Sequence, residues 1–164
     1  MHSNAKVDYS GRTVDLLLLK TVLDVPVVNK RVAIDVSDKD GVPMIVSGVE
    51  KMVQRFSLAF INAMGSAKFR PEYGTNLVPM VSKGMIYNMP TLRVQAAEAN
   101  LLAKVYVVKG DEQEDTPDDE RLVESEVVDL SFSREDAKVR ISIKLTTAAG
   151  DSYTYVIPVA VGVN

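Results

Sequence analysis

The sequence predicts an α+β fold: an N-terminal hairpin, two main helices with a short helical turn between them, and a C-terminal three-stranded antiparallel meander. Three observations carry that prediction. Apolar residues recur every three or four positions from Val49 to Ala63 and again from Leu92 to Tyr106, which is the period of one helix face. From residue 127 onward the pattern changes to alternation over three successive stretches, the period of a half-buried strand. The links between those stretches, such as Ala149-Gly150-Asp151, are long enough for antiparallel neighbours and too short for a parallel crossover. A chain of 164 residues is the size of one domain with a proper core. We divide it into an N-terminal extension or arm, residues 1–30, and an α+β domain, residues 31–164.

The elements follow in order. Residues 14–28, VDLLLLKTVLDVPVV, combine helical steps with a β-branched, Pro-stopped character, and both readings stay open. Either the segment packs on its own domain or it clasps another subunit. Val32, Ile34 and Val36 alternate with Arg31, Ala33 and Asp35 as a strand, and Asp38-Lys39-Asp40-Gly41 is turn chemistry. A short extended piece over 42–46 completes the hairpin. Ser47-Gly48-Val49-Glu50 reads as a capping box opening the first helix, whose apolar face is Val49, Met52, Val53, Phe56, Ala59, Phe60 and Ala63. Gly65 is placed to end that helix in a left-handed conformation. Leu58 lies opposite the centre of the apolar face and Ile61 nearer its edge, available to a second helix of the domain or to a partner subunit.

Thr75 or Asn76 can cap a short turn containing Leu77 and Val81, and Pro90 suits the first position of the second main helix. That helix has two apolar faces: Leu92, Ala96, Ala99, Ala103 and Tyr106 on one, and Val94, Leu101 and Val105 on the other. We expect it to be sandwiched at the centre of the fold. Residues 111–120, DEQEDTPDDE, hold seven acids and read as a solvated loop. In the meander, Val128, Leu130 and Phe132 face the core on the first strand, Val139, Ile141, Ile143 and Leu145 on the second, and Tyr153, Tyr155, Ile157 and Val159 on the third. Pro158 has no N–H for a ladder, which makes the last strand an edge strand.

Composition narrows the function. Apolar residues are 46% and charged residues 25% of the chain, a globular balance. The net charge of −3 and the lack of any basic run speak against nucleic-acid binding. There is no cysteine, so disulfides and thiolate metal sites do not arise, and we expect no cofactor. His2 is the one histidine and stands near the start of the chain, a poor place for a triad or an imidazole metal site. The apolar run Leu16–Leu19 is four residues long, too short for a signal peptide core or a membrane span.

After the first helix comes Phe69-Arg70-Pro71-Glu72-Tyr73-Gly74, a Pro- and Gly-shaped turn with an aromatic on each side of an Arg/Glu pair. The order of amphipathic helix, Gly/Ser link, R-P-E-Y-G and Leu77 resembles the baseplate-wedge family of contractile tails. That family comprises the sheath-initiating wedge proteins of T-even-like phages and their type VI secretion counterparts. The resemblance spans residues 41–159. It implies a structural protein of the virion tail baseplate, assembled in the host cytoplasm, that seeds the tail sheath. The implied partners are other baseplate wedge subunits and the tail-sheath subunit, with the tail tube or hub as a candidate neighbour. No nucleic acid or membrane is implied. Members carry a Glu-Pro-Arg motif before the meander, and the corresponding AKVYVVKGDEQEDTPDDERL lacks it, so the contact made by that motif is not carried over.

The expected partner-binding residues are Arg70, Glu72 and Tyr73 of the turn, Leu58 and Ile61 of the first helix, and Tyr153, Thr154, Tyr155, Val156 and Ile157 of the last strand. The mechanism is β-augmentation, in which a partner's extended arm adds to the open edge. An enzyme reading fares worse. A glycosidase needs two carboxylates across a cleft, one with a raised pKa. Here Glu50 is assigned to a cap, and Glu72 stands where an ion pair with Arg70 would keep it charged. There is no tryptophan to line a sugar cleft, and aromatics make up 6% of the chain. The alternative of a different class is a regulatory protein-binding module of similar fold, of the anti-adaptor type, since fold does not fix function.

Overall fold

A computed structural model describes residues 15–16, 45–86, 88–133 and 138–161. The chain is α+β. Within these residues run β1 (Asp15–Leu16), β2 (Ile45–Val46), α1 (Gly48–Ile61), α2 (Leu77–Ser82), α3 (Met89–Gln113), β3 (Leu122–Ser133), β4 (Lys138–Thr147) and β5 (Ser152–Ala160). The last three form an antiparallel sheet in the order β3-β4-β5.

The strand expected over 31–36 lies outside the described residues. Ile45–Val46 pairs with Asp15–Leu16, antiparallel, so the ambiguous segment over 14–28 contributes at least a short stretch of strand to its own chain.

The core lies between the sheet and the helices. Met52, Val53, Phe56 and Phe60 of α1 meet Leu92, Ala96, Ala99 and Ala103 of α3, above Ile141, Ile143, Leu145, Tyr155 and Ile157 of the sheet. Three alanines on the packed face of α3 let the helices approach closely. Phe56 and Phe60 stack with centroids 6.2 Å apart. Each large side chain so buried is worth ~1.5–3 kcal/mol.

Five local expectations are corrected. Ser47 sits at the N-cap of α1 with extended backbone but makes no side-chain cap bond, and Glu50 is exposed. The Gly48 N–H donates instead to Glu120 Oε1, 2.8 Å away, so the capping oxygen comes from the far end of the acidic run. The helix ends at Ile61 with Asn62 as an extended C-cap, before Gly65 takes its left-handed φ of 81°. The helical pattern of α3 is right, with Asn88 accepting from the Thr91 N–H at its start, but the sandwich is not. Val94 and Leu101 are 65% and 60% exposed, because the sheet and α1 both lie on the alanine side.

The acidic run is not simply solvated. Asp111 still belongs to α3 and both Asp111 and Glu120 are buried. In β3, Val127 pairs with Ile143 and Asp129 with Ser142, leaving Val128 as an extra residue. This bulge flips the alternation: Val127 joins Leu130 against the core while Val128 turns out to solvent, and Phe132, also expected in the core, is 47% exposed near the strand end. Val123 marks a second register shift.

Candidate interaction surfaces

The R-P-E-Y-G turn is built on backbone bonds. Arg70 N–H donates to the Ala67 carbonyl (3.2 Å), Tyr73 N–H to the Arg70 carbonyl (2.9 Å) and Gly65 N–H to the Pro71 carbonyl (2.8 Å). Gly74 closes it with φ 106°, and a Cβ there would overlap the Asn62 carbonyl. Only glycine satisfies both conditions. Thr75 follows, fully buried, its Oγ1 donating to the Phe60 carbonyl at 2.7 Å, while Thr75 N–H donates to the Asn62 carbonyl and Met64 N–H to the Thr75 carbonyl. The turn is therefore stitched to the end of α1. Asn76 precedes α2 without a side-chain cap bond.

Tyr73 packs edge-on against Tyr106 of α3, centroids 5.2 Å apart at 78°. Burial pushes the Tyr73 phenol up, opposed by smaller pulls from Asn62 and the Arg70 guanidinium. Burial followed by the Glu72 charge does the same to Tyr106. Arg70 and Glu72 are both exposed and form no ion pair with one another, so of the two readings open to them the local salt bridge is not made. A groove lined by Leu58, Arg70, Tyr73, Tyr106 and Val107 joins the turn to α1 and α3. Three expected partner-binding residues, Leu58, Arg70 and Tyr73, thus meet in one place. Ile61 is half-buried against the core.

Arg55 closes the inner end of that groove. Its Nη1 donates to Asp111 Oδ1 at 2.7 Å, and Leu122 N–H donates to Asp111 Oδ2 at 3.0 Å. One carboxylate thereby ties α1, α3 and the first residue of β3 together. Lys51 adds a looser pair with Glu114 at 3.6 Å. Sequence reading missed this brace because the partners are 56 positions apart and Asp111 is one acid among seven.

The second surface is the β5 edge. Among the described residues β5 pairs with β4 alone. Tyr155 and Ile157, expected at the partner surface, are buried in the core, so their side chains are not available to a partner. Tyr153 is half-buried, Val156 intermediate and Thr154 exposed. Burial pushes the Tyr155 phenol well up; the Ser57 hydroxyl beside it offsets only part of that, and neither hydroxyl finds hydrogen-bond geometry.

The direction of the β5 main chain follows from the register. Thr147 N–H donates to the Asp151 carbonyl at 2.9 Å, which makes that a hydrogen-bonded pair, and pairs alternate from there without a register shift. Tyr153, Tyr155, Ile157 and Val159 then bond to β4. Ser152, Thr154 and Val156 turn both main-chain groups outward, as does Pro158 its carbonyl, whereas the Ala160 carbonyl accepts from Ser82 Oγ of α2 at 3.5 Å. Pro158 falls at a position where no ladder donor is needed.

Among the described residues, no three His, Cys, Asp or Glu are grouped to hold a metal ion, and no helix is long and apolar enough to cross a membrane. The chain matches no family model, no curated protein and no solved structure.

Proposed function

We propose that this protein is an assembly component of a contractile-tail baseplate wedge that helps initiate the tail sheath by taking an extended arm of the sheath subunit onto β5. In this reading it performs no catalysis, and its neighbours are wedge subunits and the sheath. The observation that carries the proposal is the contrast between the two sheet edges. Along β3, Glu124, Glu126 and Asp129 are exposed and Val123 and Val128 break the register, devices that discourage strand addition. Along β5, the nine residues SYTYVIPVA carry no charge and no register shift, and the one such device, Pro158, stands near the end of the strand and leaves Ser152 to Val156 open. The wedge assignment itself rests on the resemblance of the helix, R-P-E-Y-G turn and meander.

Val156→Pro tests it. The Val156 N–H points away from β4 in the register above, so its loss spares the ladder and removes one donor from the outer edge. The variant is expected to fold, to join a wedge subcomplex and to leave tubes bare of sheath in electron micrographs of assembled particles. Normal sheaths on folded Val156→Pro protein would overturn the proposal.

A further inference from the structure

Phe69 is 91% exposed, the extreme among the large apolar side chains of the described residues. A lone exposed Leu or Val means little, but an aromatic ring held wholly in solvent at a fixed position is a different matter. The bonds from Gly65, Arg70 and Tyr73 N–H groups and the locked Gly74 hold the tip in shape before any partner arrives. A preformed tip gives up little conformational entropy on association. Rigid aromatics of this kind, desolvated in a partner's pocket, supply much of the energy of many interfaces.

The neighbours of Phe69 indicate the partner's chemistry. Lys68 Nζ lies 5.7 Å from the centre of the Phe69 ring, and Arg70 follows it. Both cations are exposed, and neither forms an ion pair among the described residues. The tip is an aromatic between two unspent positive charges, on a chain whose net charge is −3.

We propose that Phe69 is an anchor that inserts into an apolar pocket on a partner protein, and that Lys68 and Arg70 clasp carboxylates on the rim of that pocket. The complement is a protein surface with an apolar socket ringed by Asp and Glu. Two cations with Glu72 close behind are too few for phosphate-backbone binding or for stable anchoring to an anionic membrane. The inference uses neither the β5 edge nor the wedge assignment, so each stands or falls separately.

The test places the photo-crosslinker p-benzoylphenylalanine at position 69 of the full chain in the cells that make it. Adducts are mapped by mass spectrometry. We expect one discrete protein adduct at an apolar patch flanked by Asp or Glu, and no such adduct with the probe at exposed Glu112. Lys68→Glu with Arg70→Glu should lower the yield about tenfold, the combined effect of two rim pairs. An unchanged melting temperature for Phe69→Ser checks that the tip is spare to the fold. No discrete adduct, an adduct indifferent to charge reversal, or one mapped to a surface without carboxylates overturns the proposal. So does Phe69-dependent pelleting of the purified protein with phosphatidylcholine–phosphatidylserine vesicles, which would make the tip a membrane anchor.

Discussion

Asp111→Ala removes the acceptor on which three elements converge. The Asp111 side chain is 2% exposed and that of Arg55 20%. Removing one member of a buried ion pair costs ~3–5 kcal/mol, and an orphaned buried N–H, here that of Leu122, costs ~1–3 kcal/mol. These terms share one carboxylate and do not add. The one-fifth exposure of Arg55 lets water take over part of its solvation, which places the net near the lower bound, about 3 kcal/mol. For a chain of this length that is roughly a 10 °C fall in Tm. Asp111→Asn keeps one acceptor oxygen and should cost about half as much. Urea titration followed by far-UV circular dichroism measures both, with the midpoint moving at constant m. A loss below ~1 kcal/mol for Asp111→Ala would refute the brace as a stabilising element.

Three further outcomes follow from the same geometry. Ser47→Ala should change stability by less than ~0.5 kcal/mol, whereas Glu120→Ala should cost ~1–2 kcal/mol, because the capping oxygen belongs to Glu120; equal effects in thermal melts would restore the local capping box. Tyr155→Phe should be neutral or slightly stabilising at pH 7, since its hydroxyl is unpartnered. The phenol's pKa is raised by folding, so the stability it contributes is intact below the unfolded value near 10 and is lost as pH rises toward the folded value; Tyr155→Phe should therefore lose less stability than wild type above about pH 10, as alkaline melts would register. Arg70→Glu should leave the Tm of the isolated protein almost unmoved, and a clear drop would show that the exposed guanidinium has a structural role instead.

Much of the fold was legible because it depends on local periodicity. The faces of β4 and β5 match, and that of α1 matches from Val49 to Phe60, since a regular helix or strand repeats its pattern over short distances; Ala63 falls beyond the helix, and Lys51, Gln54 and Ser57 are buried as well. Failures cluster where a distant partner decides. Val128 looked like a core residue until the bulge displaced it, and no neighbouring residue announces a bulge. Leu101 and Val94 read as buried because their spacing is helical, yet spacing does not count how many layers the fold has. Asp111 and Glu120 looked like solvated acids because their partners, Arg55 and Gly48, lie on another element. The turn and the last strand were legible as structural elements. Phe69 passed as a flanking aromatic, because exposure is a tertiary property.

The bond from Gly48 to Glu120 spans 72 positions, and its consequence is kinetic. An ordinary capping box lets a helix secure its own first turn within nanoseconds to microseconds of chain motion. Here the first turn of α1 waits for a carboxylate that arrives only when α3 and the sheet have docked. That couples the start of the helix to a long-range closure of the domain, which lowers the chance of α1 persisting as an isolated segment and sharpens cooperativity. In a folding-rate analysis, Glu120→Ala should speed unfolding while leaving the folding rate nearly unchanged, the behaviour of a contact made after the barrier is crossed.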